Sequence, residues 1–314
     1  MLKIGIIGAG IISKKHADAI QKLEQTLLIG VADIVPEKAK NFEESYGAKA
    51  YIDYREMVKK EKLDAVVICL PHGLHKEAAV YCAEHGVHIL IEKPMANTVE
   101  ECERIIQACE KNKVKLMIGH IQRYFSQIRK AKELLHSGDL GELVMITDNR
   151  NTDYFNENRP KWFLSKKLAG GGIVMNFGAH SFDKLLWITE RTIEKITASI
   201  SQHFPQQEVE GNAQILVELE GNVSATISFS GYNVPSVNEM VIYMTKGIIK
   251  INSDSRVLVS YGGEFIEVKK DSQPDSFVLM WKDFIDAIHC NHEPQINGIY
   301  GKEIIRAIEA VYRV

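Results

Sequence analysis

The chemistry in this 314-residue sequence starts at its front, where an apolar run reaches Gly8-Ala9-Gly10-Ile11-Ile12-Ser13. The first glycine of such a turn makes a tight bend, and the second lets the backbone approach a pyrophosphate. A helix starting there offers unpaired N–H groups and its positive dipole end to that anion. Ser13 stands where a third glycine would ease helix–strand packing. Asp33 closes the next apolar run, placed to accept hydrogen bonds from an adenosine ribose. A carboxylate there repels a 2′-phosphate, so the pattern favours NAD over NADP. A plain turn and a loop cap are the bland alternative. They do not explain why strand, turn, helix and acid occur together.

Lys93, in Glu92-Lys93-Pro94, follows the apolar run VHILI. Ligands of open parallel sheets bind outside the carboxyl ends of the strands, so Lys93 is expected to face the cofactor crevice. There it can hydrogen-bond a substrate oxygen and stabilise a developing alkoxide; the alternative is a solvated surface lysine. Leu70-Pro71-His72-Gly73-Leu74-His75 follows another such run and is expected to line the same crevice. Gly170-Gly171-Gly172 precedes a helical stretch on which Asn176 and His180, four apart, share a face. Asp183, three beyond, is placed to hold the imidazole. A histidine so held can take a hydroxyl proton while hydride leaves the same carbon; otherwise it is a satisfied core histidine. The polar, aromatic loop 149–165, with Arg150, Asp153, Tyr154, Arg159 and Trp162, suits carbohydrate recognition or an interaction surface. Either arginine would suit a substrate carboxylate or phosphate.

Positioning these residues requires alternating elements. Residues 3–8, 27–33, 64–70, 87–92 and 114–120 are short runs rich in Ile, Val and Leu, the signature of strands buried on both faces. Helices are expected near 13–24, 36–46, 73–85 and 98–112. Pro36 suits a first turn, and Thr98 with Glu101 forms a capping box. Strand and helix repeated this way give a doubly wound parallel sheet. Beyond residue 120 we expect helices at 123–136 and after Gly172. Alternating strands follow from 193 to 268, with tight turns at 220–222 and Lys246-Gly247, then helices at 275–290 and 298–313. The expectation is α/β: an N-terminal Rossmann domain, 1–121, and a C-terminal α/β domain, 122–314, with a large, mostly antiparallel open sheet.

Composition narrows the function classes. A net charge of −3 gives no reason to expect a nucleic-acid or membrane partner. Cys69, Cys82, Cys102, Cys109 and Cys290 are an odd, scattered set, which fits reduced thiols in a cytoplasm. The histidines lack metal-ligand companions, so no metal site is expected.

In order along nearly the whole chain, GAGIIS, Asp33, LPHGLH, EKP, GHIQRY and GGGIVMNFGAHSFD resemble the Gfo/Idh/MocA family of glucose–fructose oxidoreductase and inositol dehydrogenase. The run VEGNAQILVELEGNVSATIS is similar to that family's sheet domain. The resemblance implies hydride exchange between a tightly held NAD or NADP and a sugar, amino sugar or cyclitol. It implies contact of Lys93 with the reacting oxygen, a cis bond to Pro94, an acid/base role for His180, and Arg123 at the cofactor–substrate boundary. Homodimers or homotetramers through the sheet are also implied. Asn176 stands where such dehydrogenases commonly have aspartate, and an amide cannot supply charge or take a proton. On this reading Lys93, His180 and Asn176 are catalytic. Gly8, Gly10, Ile11, Ile12, Asp33, Leu70, Pro71, His72, His75, Glu92, Lys93 and Arg123 hold the cofactor. Lys93, Tyr154, Trp162, Asn176 and His180 hold the substrate. A redox-neutral NAD-dependent glycoside hydrolase and a non-catalytic dinucleotide sensor are the competing functions.

Overall fold

The computed structural model describes residues 1–203, 207–270 and 272–313. The chain divides into two compact units, Met1–Ile121 with Pro274–Ile305 and Gln122–Gln273 with Arg306–Val314.

The first unit is built on β1 (Leu2–Ile7), α1 (Ile11–Gln21), β2 (Thr26–Ala32), α2 (Pro36–Tyr46), β3 (Lys49–Tyr51), α3 (Tyr54–Glu61), β4 (Ala65–Ile68), α4 (His75–Glu84), β5 (His88–Glu92), α5 (Val99–Asn112) and β6 (Leu116–Gly119). Its six strands run parallel in the order β3-β2-β1-β4-β5-β6. All four residues of β4 and all four of β6 are buried, as their unbroken apolar runs require. Five strands were legible in the sequence; β3 is the sixth, a three-residue edge strand. Pro36 opens α2. The Thr98 hydroxyl accepts the Glu101 N–H at 3.2 Å, and Glu101 reaches back to accept the Asn97 N–H at 3.1 Å. Strand order reverses between β1 and β4, and ligands of such sheets bind at that switch point.

The second unit contains α6 (Ser126–His136), β7 (Leu143–Asn151), α7 (Lys166–Ala169), α8 (Ala179–Thr189), β8 (Ile193–Ser201), β9 (Asn212–Leu219), β10 (Val223–Ser230), β11 (Val237–Met244), β12 (Gly247–Ile251), β13 (Val257–Ser260) and β14 (Ile266–Val268). The eight strands form one sheet in the order β14-β13-β12-β11-β7-β10-β9-β8. Every pairing is antiparallel except β7 with β10. Alternate residues of β9 and β10 are buried, so one face of the sheet meets the core and the other stays open. Gly221 and Asn222 turn the β9–β10 hairpin with φ of +78° and +60°, values glycine and asparagine tolerate best.

The expected boundary was 121/122; in the structure, part of the chain after β14 groups with the first unit. The helix α9 (Ser276–His289) and residues up to Ile305, within α10 (Gly298–Tyr312), group with the first unit. Buried side chains cause this. The Trp281 indole N–H donates to His16 Nδ1 at 3.1 Å, and Phe277 packs edge-on against the same ring.

Candidate active site

Because β1, β4 and β5 are parallel, their carboxyl ends share one edge. That edge of the first unit gathers the Gly8–Ser13 turn, the Leu70–His75 segment and Lys93. Gly8 has φ of +99°, and a Cβ there would lie 2.6 Å from the Cys69 carbonyl oxygen. Only glycine fits. At Gly10 a Cβ would meet no protein atom within 4 Å. The space beside it is therefore open to a ligand rather than filled by the fold. Gly10 caps α1 without any side-chain hydrogen bond, and the first turn carries no acid. Ser13 is buried and donates back to the Gly10 carbonyl at 2.6 Å, so it fits the third-glycine position. Ile11 is 83% exposed at the mouth of this turn, and Ile12 is half-buried.

Asp33 Oδ2 accepts the Ala9 N–H at 2.8 Å, and Oδ1 accepts the Val35 N–H at 2.9 Å. The carboxylate thus braces the phosphate turn while keeping lone pairs for a ribose. An uncapped helix start, an open Gly10 and a carboxylate beside them fit the pyrophosphate and adenosine ribose of NAD. NAD supplies the hydride acceptor, at nicotinamide C4.

The Lys93–Pro94 peptide is cis. Glu92 Oε2 accepts the Lys93 N–H at 3.2 Å, while its Oε1 lies 2.9 Å from His16 Nε2. Since Nδ1 of His16 accepts from Trp281, the ring proton sits on Nε2 and is donated to Glu92. Trp281, His16 and Glu92 are thus a buried chain ending at the backbone of Lys93. The sequence reading missed His16 and Trp281, which are 265 positions apart.

His75, expected at the cofactor, lies buried between two loops. Its ring is 0% exposed, with Nε2 2.8 Å from the Leu70 carbonyl and Nδ1 3.1 Å from that of Pro94. The ring thus sits between the loop after β4 and the loop after β5, and as a neutral imidazole it donates its single N–H to one of these carbonyls. Burial pushes its pKa down. His72 is also buried, its ring centroid 5.9 Å from that of His75. Leu70 and Pro71 flank it, half-buried.

In the second unit the expected α-helical spacing of Asn176 and His180 changes. Val174–Gly178 forms a π-helical turn before α8. The wider turn, a form often found at functional sites, has a distant cause. Glu210 accepts the N–H of Gly172 through both oxygens, at 2.9 and 2.8 Å, and that of Val174 at 2.9 Å. The Tyr312 hydroxyl donates to the same carboxylate at 2.8 Å. A Cβ at Gly172 would strike the Glu210 carbonyl, and one at Gly171 the Tyr312 hydroxyl. Close approach therefore explains two of the three glycines. No local signal marked Glu210 as the group that caps this segment.

Asp183 is not reserved for the imidazole. Its Oδ1 accepts from Arg123 Nε at 2.7 Å, both side chains being buried, so Arg123 is held inside this unit. Asn176 and His180 are buried on the π turn and the first turn of α8. Tyr154 is 0% exposed, its hydroxyl included, and that hydroxyl lies beside the Asn176 amide. Burial raises its pKa above the usual phenol range. Trp162 stacks on Phe163 with ring centroids 3.7 Å apart and keeps part of its surface exposed. Among the described residues, no helix is long and apolar enough to cross a membrane.

Comparison with known proteins agrees with this architecture. Residues 2–120 match the oxidoreductase family with an NAD-binding Rossmann fold named GFO/IDH/MocA, and residues 128–250 match the GFO/IDH/MocA C-terminal domain. Myo-inositol 2-dehydrogenase of Thermotoga maritima is 23% identical, over 96% of this chain and 92% of its own. The 2,7-anhydro-N-acetylneuraminate hydratase of Mediterraneibacter gnavus is 24% identical, over 95% and 86%. The chain spans about half the length, 53%, of one further relative, an uncharacterized oxidoreductase. The aldose-aldose oxidoreductase of Caulobacter crescentus, solved with glycerol, superposes with a TM-score of 0.91 at 27% identity, covering 99% of this chain and 96% of that one. The chain belongs to the Gfo/Idh/MocA family of NAD-dependent oxidoreductases.

Proposed function

We propose that this oxidoreductase moves a hydride between nicotinamide and a secondary alcohol carbon of a sugar, amino sugar or cyclitol. The carrying observation is the placement of Lys93 at the carboxyl end of β5, on the edge that holds the open Gly10 turn. As the alcohol C–H bond breaks, its electron pair leaves with the hydride and the hydroxyl loses its proton. Lys93 donates a hydrogen bond to the oxygen and stabilises the charge that develops there. His180 takes the hydroxyl proton, and Asn176 orients a neighbouring hydroxyl. The chain Trp281–His16–Glu92 fixes the backbone at Lys93. An amide at position 176 leaves His180 without a carboxylate there, so the base works through its own basicity.

The open sheet face carries Met145, 41% exposed, and Leu216, 40% exposed. On this reading that face pairs with a second copy as a dimer or tetramer, which sedimentation of the purified protein tests.

The function is tested by NADH fluorescence of the purified protein against inositols, hexoses, hexuronates and amino sugars. NADH appearing with one class, and lost by orders of magnitude in Lys93→Ala with nucleotide affinity retained, supports the assignment. Unchanged turnover in Lys93→Ala overturns the role of Lys93. Product release with no net NADH would instead favour a redox-neutral hydrolase or hydratase.

A further inference from the structure

Two arginines of the second unit have no task in the chemistry above. Arg150 lies on β7 with its guanidinium carbon 3.8 Å from the Phe177 ring centroid. Arg159 lies over the Tyr154 ring at 4.0 Å, and Tyr154 in turn meets Phe177 edge-on at 5.8 Å. Both guanidiniums therefore lean on one aromatic cluster, directly beside Asn176. Stacking occupies the faces of a guanidinium and leaves its N–H edge free for a planar acceptor. Arg150 Nη1 and Arg159 Nε are buried atoms, and neither has a hydrogen-bond partner among the described residues.

The local charge is not balanced by the protein. Asp148, two positions before Arg150 on the same strand face, is the acid acting on it, but Asp148 Oδ1 is held by Lys184 at 2.6 Å. That pair cancels itself and leaves Arg150 with a net positive charge. Burial pulls the Arg150 pKa down to about 10, a direction that marks a cation held away from water. A desolvated, unpaired cation is costly to keep, and aromatic faces offset only part of this. An anionic ligand group would satisfy it through charge-assisted, bidentate hydrogen bonds.

We infer that Arg150, with Arg159, forms an anion subsite, so that the physiological substrate is a sugar or cyclitol bearing a carboxylate or phosphate. This rests on the reading given under Proposed function and narrows it. Arg150 engages the anion edge-on, while the aromatic cluster fixes the guanidinium plane and so the position of the sugar relative to Asn176. Neutral polyols bind without this anchor.

The test compares a hexose, its hexuronate and its 6-phosphate, which differ only at one carbon. Assays use wild type, Arg150→Gln and Arg150→Lys, each saturated with NAD. The expected result is kcat/KM at least tenfold higher for one of the anionic sugars than for the parent hexose. Arg150→Gln is expected to lower the anionic substrate at least tenfold more than the hexose, and Arg150→Lys to restore part of the difference. The anion preferred by wild type separates a carboxylate site from a phosphate site. Equal kcat/KM for all three sugars, or a uniform loss in Arg150→Gln, overturns the subsite. Titration calorimetry of the hexuronate and the hexose phosphate into the NAD-loaded protein gives a reading independent of turnover. Binding weakened tenfold by Arg150→Gln upholds the subsite even if no sugar is oxidised, a result that would count against the dehydrogenase reading alone. Absence of binding by both anions overturns the subsite whether or not a neutral polyol turns over.

Discussion

His16→Leu removes an imidazole on which two buried groups depend. The Trp281 indole N–H loses its acceptor at 3.1 Å, and Glu92 Oε1 loses its donor at 2.9 Å. An orphaned neutral donor costs about 1–3 kcal/mol and an orphaned carboxylate more, so together they cost roughly 3–6 kcal/mol. For domains of this size, about 2–4 °C of melting temperature is lost per kcal/mol, so the variant should melt on the order of 10 °C below wild type. Trp281→Phe keeps the His16–Glu92 bond and orphans only Nδ1, at about 1–3 kcal/mol plus a trimmed ring. In the double variant the orphaned indole N–H no longer exists. Its loss should therefore fall short of the sum of the single losses, by about 0.5–3 kcal/mol. Thermal denaturation followed by circular dichroism reads all three variants. The reasoning fails if His16→Leu melts with wild type, or if the two losses add. Turnover supplies a second readout, because Glu92 released from His16 no longer fixes the Lys93 N–H.

Gly10→Ala should leave the melting temperature unchanged, since its Cβ meets no protein atom, but weaken NAD in a fluorescence titration; undiminished affinity would place the pyrophosphate elsewhere. Asp33→Ala removes two acceptors of backbone N–H groups and the repulsion of a 2′-phosphate. NAD affinity should therefore fall roughly 10–100-fold and NADP affinity by less, whereas equal losses would remove the ribose contact. His75 is buried with a lowered pKa, so below its ordinary value of 6.5 the unfolded chain takes a proton that the folded protein resists. Stability falls as pH drops through that value, by at most about 1.4 kcal/mol per pH unit for one proton. Urea unfolding between pH 7.5 and 5.5 should show a shallower decline in His75→Gln; identical slopes would refute the assignment.

Where a feature was legible in the sequence, its cause is local. The unbroken apolar runs of β1, β4 and β5 show strands covered on both faces, and Thr98 with Glu101 shows its cap within four residues. Gly8 is legible for the same reason, since its bend joins adjacent elements. β3 was not, because Lys49-Ala50-Tyr51 at a sheet edge needs no apolar run. The grouping of α9 with the first unit was not legible either, since His16 and Trp281 reveal their bond only in space. His75 was placed at the cofactor because it follows a strand; that its ring lies between carbonyls of two separate loops shows only in space. Asp183 was matched to His180 by its three-residue spacing, whereas Arg123, 60 positions earlier, donates to its Oδ1.

The Glu210 carboxylate ties together segments separated by 38 and by 102 positions. Closing such loops is paid for in chain entropy before any contact rewards it. The turn that carries Asn176 therefore cannot form as an independent local helix. It waits on the sheet strands that deliver Glu210 and on the helix that delivers Tyr312. Local opening of that node would release the amides of Gly172 and Val174 together. Their hydrogen exchange is thus a clock for the final assembly of the turn that carries Asn176, read at two backbone positions.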